Sequence, residues 1–388
     1  MTSAATPTTT TQTSKPVVPW QSFDWLNTLF LIGTAVVALV GVPIHLATQG
    51  FSWPIVALFV FYLAATGLSI TGGYHRLFSH QAFQATTPVR AFFLIFGAAA
   101  CQNSALKWAS DHRAHHANVD NEGDPYNIRR GFFYAHMGWV MLKESRPLKN
   151  VQDLLKDPLV RWQNQFYTAL AIGVGGVVPL LFGWWVGDAW GSFLLVGVAR
   201  TVIVHHSTFL INSLCHFMGR QPYSMKDSAR DSGVVALLTY GEGYHNFHHQ
   251  FQYDYRNGIR WYQWDPTKWL IKTLALCGWA TRLRTAQEAH IFKARIEVQK
   301  ALAQKNLEQR PREFRDAMEQ KLHLAHEALV SARIKWERVK TDYRAAKRSM
   351  DAKRLSLAAT LEGELLAARD HFRRAQTSWS MLIDHTNA

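Results

Sequence analysis

Cysteine is scarce in this sequence and zinc-hydrolase signatures are missing. Among 388 residues there are three cysteines, Cys101, Cys215 and Cys277. They are too few and too scattered for a disulfide framework or a cysteine-based zinc site. No His-Glu-x-x-His run occurs, which excludes the usual helical zinc-hydrolase arrangement. The first 19 residues lack an apolar run and carry a single charged side chain, Lys15. They are expected to form a disordered tail rather than a signal peptide, which needs an apolar stretch at that point. Two short connections, near Thr48–Gly50 and at 187–189, contain no Lys or Arg.

What is abundant is apolar sequence, unevenly spread. The chain is 48% hydrophobic, yet its mean hydropathy is only −0.11, because an apolar part up to about residue 220 precedes a charged one after about 281. Stretches at about 25–47, 51–72, 166–186 and 190–217 are long enough to cross a bilayer, whose hydrocarbon core is ~30 Å thick. A fifth apolar run, Val89 to Leu106, is read as a partly embedded helix instead. Were it to span, the histidine-containing segments on either side of it would face opposite sides of the membrane. The loop 73–165 and everything after 217 are rich in Lys and Arg, while both short turns have none. The positive-inside rule therefore puts both termini and every histidine box in the cytosol. The formal net charge of +14 fits a membrane surface or an acidic partner, and nucleic acid is not expected.

Histidine carries the chemistry. In Asp111-His-Arg-Ala-His-His116, residues His112, His115 and His116 stand at i, i+3 and i+4 and share one helix face. His245, His248 and His249 repeat that spacing. His75 and His80 are five apart, about 140° around a helix of ~3.6 residues per turn, so one of them is expected past the helix end. One such box is compatible with ordinary interfacial histidines; three point to one assembled metal site. These eight imidazoles, nine with His216 four residues after Asn212, exceed the four ligands of a zinc ion. They suit two metals, and nitrogen-rich coordination suits iron better than magnesium or calcium. Asp111, Asp120, Glu122, Asp124 and Glu242 are candidate acceptors for the outer ring N–H groups. His136 and His206 are read as outer or structural residues and His205 as structural. His290, His323, His326, His371 and His385 are expected to be solvated. Arg200, His205, His206, Asn212 and His216 are expected on an exposed or cavity-lining helix end.

The motifs His75-Arg-Leu-Phe-Ser-His80, Asp111-His-Arg-Ala-His-His116, Gly241-Glu-Gly-Tyr-His-Asn-Phe-His-His249 and Asn212-Ser-Leu-Cys-His216 resemble those of the membrane fatty acyl desaturases. The likeness is to the delta-9, stearoyl-CoA-type branch in a bacterial form. Arg129-Arg-Gly-Phe-Phe133 is similar too, and the resemblance covers about residues 20–280. It implies an all-α integral membrane protein in which four transmembrane helices lie under a cytosolic helical cap. It also implies two iron ions (Fe2+) held by His75, His80, His112, His115, His116, His216, His245, His248 and His249, with Asn212 holding a metal-bound water.

The reaction it implies removes two hydrogens from adjacent methylenes of a long-chain saturated acyl group, with dioxygen as co-substrate and two electrons. By the same resemblance Gln102, Trp108 and Thr208 shape a bent apolar tunnel, and Phe209 stands where animal members have tryptophan. Gly67 and Leu63 stand in place of an alanine and a tyrosine near the tunnel end, leaving it at least as deep. Acyl-CoA is the expected substrate by this resemblance, but Ser110 replaces an arginine used near CoA in animal members, which keeps another acyl carrier as the alternative. No cytochrome b5 segment with His-Pro-Gly-Gly is present, so electrons are expected from a separate donor: a ferredoxin or flavin reductase, or a cytochrome b5-like protein. The His205-His-Ser-Thr run favours a bacterial inner membrane, with the endoplasmic reticulum the eukaryotic counterpart.

Residues 281–388 form a basic extension outside the resemblance. Ala, Leu, Glu, Lys, Arg and Gln dominate, Pro311 interrupts, and apolar residues such as Leu322, Ala325, Leu329, Ile334 and Val339 recur loosely. Two or three long helices are expected, as a hairpin or short coiled coil, although no heptad runs their length. Two other classes fit histidine clusters. A membrane hydroxylase of the alkane or fatty-acid type has different box spacings, and a metal transporter or sensor would place its ligands within the membrane path.

Overall fold

The computed structural model describes residues 22–143, 146–348 and 352–387, so the expected tail at 1–19 lies outside the described residues. The architecture is all-α, with four helices long and apolar enough to cross a membrane: α1 (Trp25–Gln49), α2 (Trp53–Ser79), α5 (Tyr167–Trp185) and α6 (Ala189–His216). Between them come α3 (Thr87–Ala99) and α4 (Ala105–Asn118). After α6 come α7 (His245–Gln250) and α8 (Pro266–Leu276). Large apolar side chains on the spans, such as Leu26, Leu39, Trp184 and Trp185, have no protein covering them. In water such a surface would be unfavourable; in a bilayer it is the lipid-facing side. This is a multi-pass membrane protein.

The two hairpins are joined at their turn side, where His45 Nε2 lies 2.8 Å from Asp188 Oδ2. Asp188 also caps α6, accepting from Gly191 N–H at 2.8 Å. At the other side α2 and α6 both end in histidines, which starts the site.

The end of α2 is unusual. Ser69–Ser79 widens into a π-helical run, and His80 N–H donates to His75 C=O, five residues back, at 3.1 Å. An i→i+5 repeat brings residues five apart nearly over one another. The His75–His80 spacing, which splays the rings apart on an α-helix, thereby serves one cluster, with His80 just past the helix end as expected. The carbonyls freed at that end are capped by the arginine of the next box. Arg113 donates to Phe78 O at 2.8 Å and to Ser79 O at 2.9 Å.

The apolar run is long enough in sequence to span, but the helix it forms, α3, is only 13 residues long and does not, and its face with Phe93, Leu94, Gly97, Ala98 and Ala99 is buried in the protein. Its C-terminal carbonyls meet Arg200, which corrects the expected placement of that residue. Arg200 is fully buried rather than exposed or cavity-lining. It donates to Ala99 O at 2.6 Å and to Gly175 O at 3.1 Å. Pro179, four residues after Gly175, has no N–H to offer that carbonyl, and within a bilayer water cannot replace it. A two-stranded antiparallel pair, Gln84–Ala85 with Ala280–Thr281, ties the start of α3 to the end of the cap.

The C-terminal extension is a three-helix bundle: α9 (Glu288–Leu307), α10 (Arg312–Lys347) and α11 (Ala352–Asn387). Pro311 is the N-cap of α10, where its missing N–H costs nothing. Ile296, Leu307, Leu322, Leu329, Phe372 and Trp379 form the core, and Ile334 is exposed. His326 departs from the expectation of solvation: it is buried, 3.1 Å from Glu297 and facing the Trp379 ring. The bundle is seated on the cap through Ile291 and Ala294, which pack against Phe247 and Phe251 behind the third histidine box.

Candidate metal centre and adjoining cavity

The nine histidines converge into two groups. His75, His80, His112, His116 and His248 form one; His115, His216, His245 and His249 form the other, with the candidate ligand atoms of each group within 4.8 Å of one another. The first draws on the end of α2, α4 and α7, the second on α4, the end of α6 and α7. Every box except the first feeds both groups, because the i, i+3, i+4 rings fan over one helix face.

The inward atoms are Nε2. His248 Nε2 lies 3.0 Å from that of His75 and 3.0 Å from that of His116. His80 and His112 meet at 2.8 Å, and His245 Nε2 lies 3.1 Å from His216 and 3.0 Å from His249. Five of the outward Nδ1 atoms face partners of their own, whereas His245 Nδ1 is buried with none among the described residues. His75 Nδ1 faces Glu242 Oε2 at 3.0 Å, and His115 Nδ1 faces Asp124 Oδ1 at 2.8 Å. His112 Nδ1 meets the Tyr126 hydroxyl at 3.2 Å. His216 Nδ1 meets Ser228 Oγ at 2.8 Å, and that hydroxyl in turn donates to Asp120. Asp227 lies 3.6 Å from His249 Nδ1.

A carboxylate only accepts, so at His75 and His115 the proton sits on Nδ1 and the Nε2 lone pair points inward. Lone pairs facing one another at such distances repel unless a cation lies between them. His115 Nε2 is buried with no hydrogen-bond partner among the described residues, which is the state of a ligand atom, not of a satisfied core histidine. Burial, reinforced by neighbouring imidazoles, holds His80, His112, His116, His245, His248 and His249 well below the ordinary histidine pKa. Neutral rings are the metal-binding form. The donor set therefore fits two nitrogen-ligated transition-metal ions.

Of the five acidic candidates, Glu242 and Asp124 contact histidines directly and Asp120 acts through Ser228. Asp111 instead pairs with Lys107 at 2.5 Å, and Glu122 is exposed. Glu242 is buried, which opposes its ionisation, but Arg76 and His75 together bring its pKa down to about 2. Arg76 links Glu242, at 2.8 Å, to Asp265, at 3.0 Å. His136 and His206 pair with each other at 3.0 Å, apart from both groups, and His205 Nε2 bonds Ala100 O at 2.8 Å.

A cavity of about 580 Å³ adjoins the first group. His112 lines it, with Gln102, Trp108, Thr208, Phe209 and Asn212. Gln102 Nε2 donates to Thr208 Oγ1 at 2.9 Å, and the flanking Cys101 and Asn103 both adopt positive φ. Left-handed residues on either side of Gln102 turn the chain sharply at the end of α3. The Asn212 side-chain amide makes no hydrogen bond with a described residue. Lys107, Lys143 and Arg146 also line the cavity, together with Asp24 and Asp111, and Lys143 is exposed.

Comparison with known proteins agrees with this geometry. The sequence model of the family described as "Fatty acid desaturase" matches residues 51–281, which hold all nine histidines. The chain belongs to the fatty acid desaturase family. The chain is 41% identical over 318 residues to "Probable acyl-CoA desaturase" of Schizosaccharomyces pombe, covering 78% of the chain and 65% of the relative. It is 40% identical over 294 residues to "Acyl-CoA desaturase 1" of Saccharomyces cerevisiae, covering 72% of the chain and 56% of the relative. To "Stearoyl-CoA desaturase 5" of Homo sapiens it is 38% identical over 253 residues, 63% of the chain and 74% of the relative. The chain thus spans less than two thirds of the length of the two yeast relatives.

Gly67 and Leu63 do not line the cavity. The Tyr240 ring packs on Gly67, so that an added Cβ would lie 2.2 Å from Tyr240 Cζ. The Tyr240 hydroxyl donates to Leu63 O at 3.1 Å. Sequence reasoning missed Tyr240, Tyr126, Ser228 and Asp227, whose contacts join distant segments. Arg76 and Asn246 were legible in principle, as polar residues inside histidine boxes. Asn246 donates to Ser224 O and Ala229 O at 2.8 and 3.0 Å and so holds the loop that carries Asp227 and Ser228.

Proposed function

We propose that the chain is an oxygen-dependent fatty acyl desaturase that introduces a cis double bond, at the delta-9 position, into a long-chain saturated acyl-CoA. The observation that carries this reading is the cavity shared by His112, Asn212, Gln102, Trp108 and Thr208 beside the two histidine groups. Two iron ions held by the nine histidines would supply the activation of dioxygen and the removal of hydrogen from unactivated carbon. The chain's own residues bind and orient. Lys143 and Arg146 suit the phosphates of the carrier at the mouth, while Lys107 is held by Asp111. The Gln102–Thr208 hydrogen bond and the Trp108 ring form the bend that fixes which methylene pair faces the metals. Asn212 has its amide free for a water, and Glu242 and Asp124 hold the tautomers of His75 and His115.

For each double bond, the acyl chain gives up two hydrogens and dioxygen is reduced to two waters with two further electrons and protons. Those electrons come from a separate donor protein. The basic loops put both termini and the histidine groups on the cytosolic face, of a bacterial inner membrane or of the endoplasmic reticulum. The test is expression in a host lacking unsaturated fatty acids, followed by mass-spectrometric mapping of double bonds. Growth rescue with delta-9 unsaturation is expected. A hydroxylated product instead would transfer the chain to the membrane hydroxylases.

A further inference from the structure

The C-terminal bundle carries a groove that plays no part in the chemistry above. Between α10 and α11 lies a cavity of about 490 Å³. Lys340 and Arg344 on α10 face Arg369 and Arg373 on α11, and no carboxylate lines the space between them. Each helix thus presents a like-charged pair at i and i+4, an arrangement that by itself disfavours the helix. Arg344, Arg369 and Arg373 pair with no carboxylate among the described residues. Lys340 lies 3.5 Å from Glu337, but that carboxylate is held at 2.6 Å by Arg333.

Beneath the cations the groove is apolar. The Trp336 ring stacks on Phe372 at 5.3 Å and 16°, and Leu365 and Leu366 complete the wall. Leu366 is 55% exposed, which leaves apolar surface in contact with water beside four unpaired or weakly paired cations. The floor is the edge of the bundle core, where Trp336 packs against Phe372; a solvated helix face has no need of the concavity shared with the four cations. Four cations over an apolar floor match a ligand with negative charge at one end and hydrocarbon at the other.

We propose that this groove is a binding site for the phosphate ester of an acyl-bearing amphiphile, with phosphate oxygens on Lys340, Arg344, Arg369 and Arg373 and the acyl portion against Trp336, Leu365 and Leu366. The same chemistry is offered by a soluble acyl-CoA and by an anionic phospholipid. The site is independent of the desaturation reaction.

The test uses the full chain in phosphatidylcholine nanodiscs and two probes, oleoyl-CoA and oleoyl lysophosphatidate, with lysophosphatidylcholine as the neutral control. Wild type is compared with the Arg344→Ala/Arg369→Ala variant, whose side chains lie far from the histidine groups in sequence and serve no catalytic role. Helix content and thermal melting show that the variant is folded. Loss of two cations is expected to weaken a phosphate-bearing probe on the order of tenfold or more, while turnover stays unchanged. Weakening of oleoyl-CoA alone identifies the soluble ester, and weakening of lysophosphatidate alone identifies the lipid; either supports the site. Unchanged binding of both probes in the folded variant overturns it, as does an equal loss for the neutral control.

Discussion

His248 Nε2 lies 3.0 Å from His75 Nε2, although the two residues are 173 positions apart. The third box therefore reaches the first only after the cap has folded back over the end of α2. The ligand set is a product of tertiary structure, so metal bound there would be coupled to folding. Removing iron with a chelator is expected to lower the melting temperature of the detergent-solubilised protein, and adding Fe2+ back should restore it. A melting temperature indifferent to metal would mean that the imidazoles are organised without it.

The two groups predict how metal is lost. His112→Ala and His116→Ala each remove a ligand from the five-histidine group, and His245→Ala and His249→Ala each remove one from the four-histidine group. All four are expected to abolish desaturation and lower bound iron, from two ions per chain toward one. Metal analysis of purified variants checks this; full iron content with normal turnover would remove the two-metal reading.

Asn212 and His216 separate orientation from ligation. His216 Nε2 points into the four-histidine group, whereas the Asn212 amide faces the cavity. Asn212→Ala should lose most activity and retain most iron, and His216→Ala should lose both. Iron assays giving the reverse order would exchange the two roles.

Much of this site was legible in the sequence because helical spacing of three and four residues is itself geometric. The i, i+3, i+4 boxes had to present rings on one face, and the apolar runs had to bury or meet lipid. The π-helical turn that brings His80 beside His75 leaves no such mark, since it depends on carbonyls capped by Arg113 from another helix. Arg200 could not be placed either. Its burial follows from carbonyls freed by the end of α3 and by Pro179, both remote in sequence. The C-terminal bundle had no clean heptad to read because three helices share its core, so no single stripe needs a strict repeat.

Arg76 predicts a cost that is not catalytic. Its guanidinium joins the buried carboxylates of Glu242 and Asp265, and Arg76→Met leaves both without their cation. Breaking such a buried network is expected to cost about 3–5 kcal/mol. The sign of the pH effect follows from Glu242, whose pKa lies near 2 against 4.5 for the ordinary side chain. A carboxylate depressed on folding contributes stability that is present in full above the unfolded pKa and is lost as pH falls toward the folded one. Wild-type melting temperature should therefore drop between about pH 5 and pH 2. In Arg76→Met that acid dependence should be flattened, with melting already low at pH 6. An unchanged acid slope would place the stabilisation of Glu242 elsewhere.

Tyr240 carries the last prediction, which concerns chain length. Its ring fills the space left by the missing side chain of Gly67, and its hydroxyl is anchored to the carbonyl of Leu63 one turn earlier on α2. A Cβ at Gly67 would stand 2.6 Å from the Tyr240 hydroxyl oxygen, well inside contact distance. Gly67→Leu therefore cannot simply shorten an open tunnel. It must expel the ring, at an overpacking cost of about 1–3 kcal/mol. Tyr240→Ala does the opposite, opening a void bordered by Gly67 and Leu63. If the acyl tail ends in this region of α2, the void extends the tunnel and shifts preference from sixteen- toward eighteen-carbon or longer substrates, with iron content unchanged. The double variant Gly67→Leu/Tyr240→Ala refills the void from the other side. It should recover stability relative to Gly67→Leu, because the two changes are in direct contact and their effects do not add. Competition between sixteen- and eighteen-carbon substrates reads the ratio. An unaltered ratio in Tyr240→Ala, with normal expression and iron, would leave Gly67, Leu63 and Tyr240 as a helix-packing contact and put the end of the tunnel elsewhere.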